Sequence, residues 1–323
     1  MKMIKIFVEH IKKICKGEAM IKKLNDLMEV ARKGKTMKLV IAAAHDEDVL
    51  GAVCKAAEDG LIIPILVGDQ VEIKKLAERD GLNISNYEII DVVDLTEAAK
   101  ISVKLVSDGK ADFLMKGLID TSILLKAVLD KEIGLRTDRL LSHVMVYETP
   151  NYHKLIYLTD GGMNIEPSYE EKVKITENAI DVCRALGNTT IKVAAIAAKE
   201  KVNEKMPTTV DARKLQEHSQ SGAFGSDVIV EGPLALDLAI SEESAVIKKF
   251  KSDIAGDTDI LLVPTIEVGN GIGKTLTYLA KAESAGIIMG AKVPVVLVSR
   301  ADSYLAKLYS IALGSVVASS AKR

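Results

Sequence analysis

The sequence predicts an α/β protein built on mostly parallel sheets. Short β-branched or aliphatic runs alternate with longer segments of helical periodicity. Several short runs are apolar at every position, as strands are when both faces of their sheet are covered. With 323 residues, 48% of them hydrophobic, the chain has enough material for about two cored domains.

The N-terminal segment 1–19 carries lysines on an apolar background and mimics a secretion signal. Glu9, His10, Lys12 and Lys13 interrupt its apolar run, and no small-residue cleavage pattern follows. Two readings stand: an extension preceding a start at Met20, which is the favoured one, and an amphipathic helix packed on the domain. Strands are then expected at 38–43, 62–67, 113–115, 143–147, 154–158, 192–197, 228–230, 260–264 and 295–298. Helices are expected at 48–59, 71–80, 97–107, 122–130, 168–186, 210–218, 241–250, 274–285 and 304–317. The helix from Ser168 has the clearest signals: Ser168 and Glu171 fit a capping box, and Gly187 supplies a stop. The stretch 143–158, broken at Pro150-Asn151, reads as a hairpin, and an antiparallel pair in a parallel setting marks a change of domain.

Composition excludes several function classes. A net charge of −2 does not suit a nucleic-acid binder. No run of 18 apolar residues exists to span a membrane. Trp is absent and aromatics are 4%, which argues against stacking on sugars or bases. Cys15, Cys54 and Cys183 are scattered without metal-ligand spacing, as suits a reducing cytoplasm. The acidic run His45-Asp46-Glu47-Asp48 reads as a helix start ahead of a metal site.

Ligands of open α/β sheets bind at the carboxyl ends of strands, where helix N-termini point. Three such segments stand out. The first is TIEVGNGIGK at 265–274, read as a glycine loop that cradles an anion. It is not a Walker A loop, because the required first glycine is Val268, and it does not match the dinucleotide fingerprint. The second is MKGLIDTS at 115–122, where Thr121 and Ser122 serve either as helix caps or as phosphate contacts. The third is VSRADS at 298–303. Arg300 is one of only eight arginines, and its planar fork suits phosphate. Asp302 or Ser303 caps the helix that follows.

Together these segments resemble the phosphate acetyl- and butyryltransferase family from about Met20 to the C-terminus. MKGLIDTS, TDGGMNIEP at 159–167, EGPLALD at 231–237, GNGIGK at 269–274 and VSRADS occur in the family's order and spacing. The butyryl branch is the nearer likeness, on the strand exit at 42–46, the segment 202–210 and the absence of arginine in 42–57. The acetyl branch tends to carry an acid seven residues after the motif serine. That position is Ala306 here, followed by Lys307, which leaves Asp302 as the nearest acid.

The resemblance implies two α/β domains flanking a cleft, like isocitrate and isopropylmalate dehydrogenase. It places the first domain at 20–142 plus 299–323 and the second at 143–298. It implies reversible acyl transfer between a short-chain acyl-CoA and inorganic phosphate, by direct attack in a ternary complex. Ser299, Arg300 and Asp302 are the expected catalytic residues. Lys116, Gly117, Thr121, Ser122, Lys126, Arg136, Asn270, Gly271, Gly273 and Lys274 are the expected phosphate and CoA contacts. No cofactor or metal is expected, with coenzyme A as substrate or product. A cytoplasmic homodimer or larger assembly is expected, passing its product to an acyl kinase such as butyrate kinase. The rivals are acetyl-CoA as preferred substrate, a pyridine-nucleotide dehydrogenase, and a non-catalytic acyl-CoA-binding protein.

Overall fold

The computed structural model describes residues 20–299 and 301–321. They divide into two compact units: Leu24–Arg139 with the chain from Ala285 onward, and Leu140–Ser284 with residues 20–23. The chain returns to the first unit at 284/285, earlier than the 298/299 expected from the sequence. The reason is strand pairing. A strand at Val295–Val296 lies parallel to one at Phe113–Lys116, and its antiparallel neighbour is Glu283–Met289.

In the first unit the strands are β1 (Met37–Ala42), β2 (Ile62–Gly68), β3 (Glu88–Asp91), β4 (Phe113–Lys116), β10 (Glu283–Met289) and β11 (Val295–Val296). Their order is β3-β2-β1-β4-β11-β10, parallel except for β10. β1 and β4 are buried almost throughout, which explains their unbroken apolar sequence. The helices are α1 (Leu24–Lys33), α2 (Glu47–Glu58), α3 (Gln70–Arg79), α4 (Leu95–Ser107), α5 (Thr121–Val128) and, at the end of the chain, α11 (Tyr304–Ser320). Acids at the strand exits start the helices: Asp46 accepts from the Val49 amide, Asp69 from Val71 and Glu72, and Asp94 from Glu97. α11 is buried around nearly its whole circumference, and it packs on α1, α2 and the sheet.

In the second unit β5 (Ser142–Glu148) and β6 (Ile156–Thr159) form the expected hairpin. β9 (Ile260–Leu262), β7 (Ile191–Ile196) and β8 (Val228–Leu234) continue it in parallel, giving the order β5-β6-β9-β7-β8. α6 (Tyr169–Ala185) has both halves of the Ser168–Glu171 capping box. α7 (Pro207–Gln220), α8 (Leu236–Ile240), α9 (Glu242–Ile247) and α10 (Ile266–Tyr278) complete the unit. Its core joins Tyr147, Ile156, Leu158, Ala194, Leu238, Ile254 and Leu261.

Two sequence expectations are overturned. The segment 265–274 is not a loop: it lies almost wholly inside α10. The helix expected at 274–285 ends at Tyr278, and from Glu283 the chain is strand β10. Strand β3 was not expected at all. The extension 1–19 lies outside the described residues. Among the described residues, no helix is long and apolar enough to cross a membrane.

Candidate functional site

The chain leaves β1 to build β2 on one side, and β4 later fills the other side of β1. The strand order therefore reverses between β1 and β4, which is where open α/β sheets bind ligands at the carboxyl ends of their strands. The two exits are braced against each other. The Gly117 amide donates to the Ala42 carbonyl at 2.9 Å and the Leu118 amide to the Ala43 carbonyl at 2.8 Å. A Cβ on Gly117 would lie 2.1 Å from the Ala43 oxygen, so only glycine fits this approach. Lys116 is buried, and its ammonium donates to the Gly117 carbonyl at 3.2 Å.

α5 begins immediately above this crossing. Its N-cap position is Asp120, so neither Thr121 nor Ser122 caps the helix. They are its first two helical residues, and the Ile123 and Leu124 amides turn back to the Asp120 carbonyl. Their hydroxyls thus stand at the positive end of a helix, a setting that favours an anion. Lys126 is exposed farther along α5. Arg136 is exposed on a segment pinned on both sides of Leu135, which donates to the Val128 carbonyl and accepts from the Lys292 amide. Neither cation has an ion-pair partner among the described residues.

β11 runs parallel to β4 and delivers Ser299 to the same edge. Ser299 and Asp302 close a tight turn. The Ser299 amide donates to Asp302 Oδ2 at 2.7 Å, the Asp302 amide to the Ser299 carbonyl at 3.1 Å, and the Ala301 amide to Ser299 Oγ at 3.3 Å. Ser303, not Asp302, caps α11 by accepting from the Ala306 amide. Arg300 lies outside the described residues. Ala306 is buried, and Lys307 is buried beneath the turn.

Asn270, Gly271, Gly273 and Lys274 belong to the second unit, where α10 follows β9. Their expected role as a backbone cradle is corrected. Inside a helix the amides of Gly271 and Gly273 bond to the carbonyls four residues back and are not available to a ligand. The first turn of α10 is also occupied by an acid. The Glu267 amide, and then the Thr265 hydroxyl, hold the Glu267 carboxyl below its usual range. Two of the glycines serve packing: a Cβ on Gly269 would lie 2.6 Å from Gly161 Cα, and one on Gly273 would lie 2.7 Å from Tyr147 Oη. The side chains of Asn270 and Lys274 remain exposed on one face of α10.

The segment 159–164, part of the family segment TDGGMNIEP, is organised by one buried acid. Asp160 accepts from the amides of Gly162, Met163 and Asn164 and from Asn164 Nδ2. Glu231, in the third family segment, accepts from Ser252 Oγ and the Asp253 amide. At the carboxyl ends of β7 and β9, Lys172 and Asp211 pair at 2.7 Å beside a shallow surface dip lined by Ala195, Thr208 and Leu262. The acidic run after β1 has ordinary duties: Asp46 caps α2, Glu47 pairs with Arg79 and Asp48 pairs with Lys307. Among the described residues, no group of three or more His, Cys, Asp or Glu could hold a metal ion.

The family model described as "Phosphate acetyl/butaryl transferase" matches residues 23–101 and 93–314. A phosphate butyryltransferase of Clostridium acetobutylicum is 44% identical over 299 residues, covering 93% of this chain and 99% of that protein. A phosphate acetyltransferase of Thermotoga maritima is also 44% identical, over 295 residues, covering 91% and 99%. A crystal structure of a branched-chain phosphotransacylase from Enterococcus faecalis V583 superposes with a TM-score of 0.78 at 36% identity, covering 88% of this chain and 99% of the other.

Proposed function

Because the chain belongs to the phosphate acetyl- and butyryltransferase family, we propose that it is a phosphate butyryltransferase. It converts butyryl-CoA, or another short-chain acyl-CoA, and inorganic phosphate into acyl phosphate and CoA. The observation that carries this is the identity of 44% to the Clostridium acetobutylicum enzyme across 99% of that enzyme's length. Identity to the Thermotoga maritima acetyltransferase is equal, so the preference for a longer acyl chain rests on local sequence. The exit of β1 at 42–46 and the segment 202–210 support it, as does the lack of arginine in 42–57.

In the reaction a phosphate oxygen attacks the thioester carbonyl, the oxyanion collapses, and the carbon–sulfur bond breaks to release thiolate. Two anionic substrates must be gathered and aligned, and ideal alignment alone supplies up to ~7–11 kcal/mol. Arg300 binds phosphate through its fork. Thr121 and Ser122 add hydroxyls at the α5 N-terminus, next to Lys116 and Gly117. Ser299 Oγ accepts from the Ala301 amide, which leaves its own O–H to donate to the CoA sulfur or the oxyanion. Asp302 commits Oδ2 to the Ser299 amide and keeps its other oxygen to accept the CoA thiol proton when the reaction runs toward acyl-CoA. Lys126, Arg136, Asn270 and Lys274 act through exposed side chains on the anionic parts of the substrates. The enzyme needs no cofactor, works in the cytoplasm as a homodimer or larger assembly, and hands its acyl phosphate to an acyl kinase.

The test is phosphate-dependent thiol release from acetyl-, propionyl-, butyryl- and isobutyryl-CoA. Each buried methylene discriminates by about 1–3 kcal/mol, so butyryl-CoA should exceed acetyl-CoA at least about tenfold in kcat/KM. Equal or better use of acetyl-CoA would make the chain an acetyltransferase. Acyl-CoA binding without phosphate-dependent release would make it a binding protein.

A further inference from the structure

Lys307 is the only charged residue of α11, and its side chain is 2% exposed. Burying an ammonium is costly unless it is paired and hydrogen-bonded. A hydrocarbon of the same length would fill the same space without that penalty, so the charge needs a reason. Its contacts supply one. Nζ donates to the Asp302 carbonyl at 2.7 Å and to Asp48 Oδ2 at 3.1 Å.

These two acceptors follow different strands of the first unit's sheet. Asp302 closes the Ser299 turn after β11, and Asp48 stands in the first turn of α2 after β1. β4 lies between β1 and β11 in the sheet. A single buried cation therefore ties the loop on one side of the β4 exit to the turn on the other. Among the described residues, Ser299 and Asp302 bond to each other in both directions. The turn's backbone is also anchored by the Lys307 contact and by Ser303, which starts α11.

We infer that Lys307, braced by Asp48, is a positioning residue that fixes the Ser299–Asp302 turn for catalysis. Its consequence for turnover rests on the acyl-transfer reading above; its effect on the turn does not. Lys307 touches no reacting atom in this scheme. It acts by holding the Asp302 carbonyl, and through the turn it sets where the Ser299 hydroxyl points.

The experiment compares wild type, Lys307→Met, Asp48→Asn and the double variant in the full chain. Amide hydrogen exchange is followed by mass spectrometry on a peptide spanning 297–303, alongside phosphate-dependent thiol release. Methionine keeps the buried hydrocarbon and removes both bonds. Lys307→Met should speed exchange in that peptide at least tenfold. It should cut kcat at least tenfold and leave KM for acyl-CoA within threefold. Asp48→Asn should show the same effects in smaller measure, and the double variant should be no worse than Lys307→Met, as residues acting through one contact behave. Unchanged exchange in Lys307→Met overturns the proposal, as does additive loss in the double variant or fast exchange with full turnover. If Lys307→Met does not fold, Asp48→Asn decides alone, and unchanged exchange and turnover overturn the proposal. If wild type releases no thiol from any acyl-CoA, the acyl-transfer reading fails by itself and the exchange measurement still decides the strut.

Discussion

Three glycines in α10 give a sharp test of the helical assignment of 265–274, because their surroundings differ. Gly271 lies in the middle of the helix, exposed, and a Cβ placed on it meets no heavy atom within 4 Å. Alanine there gains the whole helix-propensity difference, about 0.5–1 kcal/mol, with no packing penalty to offset it. That gain corresponds to about 2–4 °C of melting temperature per kcal/mol. Gly269→Ala should act in the opposite direction. Its Cβ would sit 2.6 Å from Gly161 Cα and 2.9 Å from Val263 Cγ2, and a neighbouring backbone cannot swing aside. Overpacking of this kind costs about 1–3 kcal/mol. Gly273→Ala falls between, since its nearest neighbour is a side-chain atom, Tyr147 Oη at 2.7 Å, and not backbone. Thermal and urea melts of the three variants should rank Gly271→Ala above wild type and Gly269→Ala at the bottom. A Gly271→Ala protein less stable than wild type would refute the helical reading. So would a tenfold rise in its KM for phosphate, which would return the segment to its expected role as an anion loop.

Three further outcomes are expected. Arg300→Ala should raise KM for phosphate and cut turnover more than tenfold, whereas Ser299→Ala should lower turnover with little change in phosphate KM; steady-state kinetics decides, and an acyl group trapped on Ser299 would reject direct transfer. Burial pushes the Cys54 thiol up to about 11 and the Cys183 thiol well above its ordinary value, so neither should be alkylated in the folded protein at pH 7.5. Rapid iodoacetamide labelling of either peptide would contradict this. At the amino-terminal end of the second unit's strands, burial alone would raise the Asp257 carboxyl, but hydrogen bonds from Lys192, Lys154 and His153 outweigh it and hold the group well below the carboxylate range. A depressed carboxyl stabilises above its unfolded pKa of about 4, and that stability is lost as pH falls through the folded value. Asp257→Asn should therefore melt lower at pH 7, with the difference closing as pH drops below about 4; a difference constant with pH would count against it.

The strands that lie deep in each sheet were legible because burial on both faces leaves an apolar signature. β1, β2 and β7 carry it plainly, and the capping box at Ser168 fixed the start of α6. β3 carried no such signal: it is a four-residue edge strand with exposed ends, and EIID fits a loop equally well. The exchange of loop for helix at 265–274, and of helix for strand at 283–289, has one cause. Glycine disfavours a helix locally, so GNGIG reads as a break. In the fold, Gly161 needs the bare Gly269 and Tyr147 needs the bare Gly273, and that packing outweighs the local preference. Moving the helix forward then placed its tail on ESAGIIM, whose first residues tolerate a helix and whose last belong in a sheet.

For the proposed site, the strand-exit rule pointed to the Lys116–Ser122 and Ser299–Asp302 segments, but not to what holds them. Lys307 did leave a signal, since a lone charge in an otherwise uncharged helix that is apolar on all sides must find partners inside. Its neighbour Ala306 bears on the missing acid. Ala306 is buried and packed, so a carboxylate there would need a partner of its own, and the cation one residue along is already committed to Asp302 and Asp48. What the reaction asks of a base is small. A thiol of pKa about 8.5 is already a few per cent ionised at pH 7, so a dedicated base is worth at most about 2 kcal/mol. If Arg300 holds phosphate beside the sulfur, as proposed, the thiol pKa falls and that figure shrinks further. For this chain, holding the Ser299 turn in place is the larger requirement, and a buried lysine at the position after the absent acid meets it.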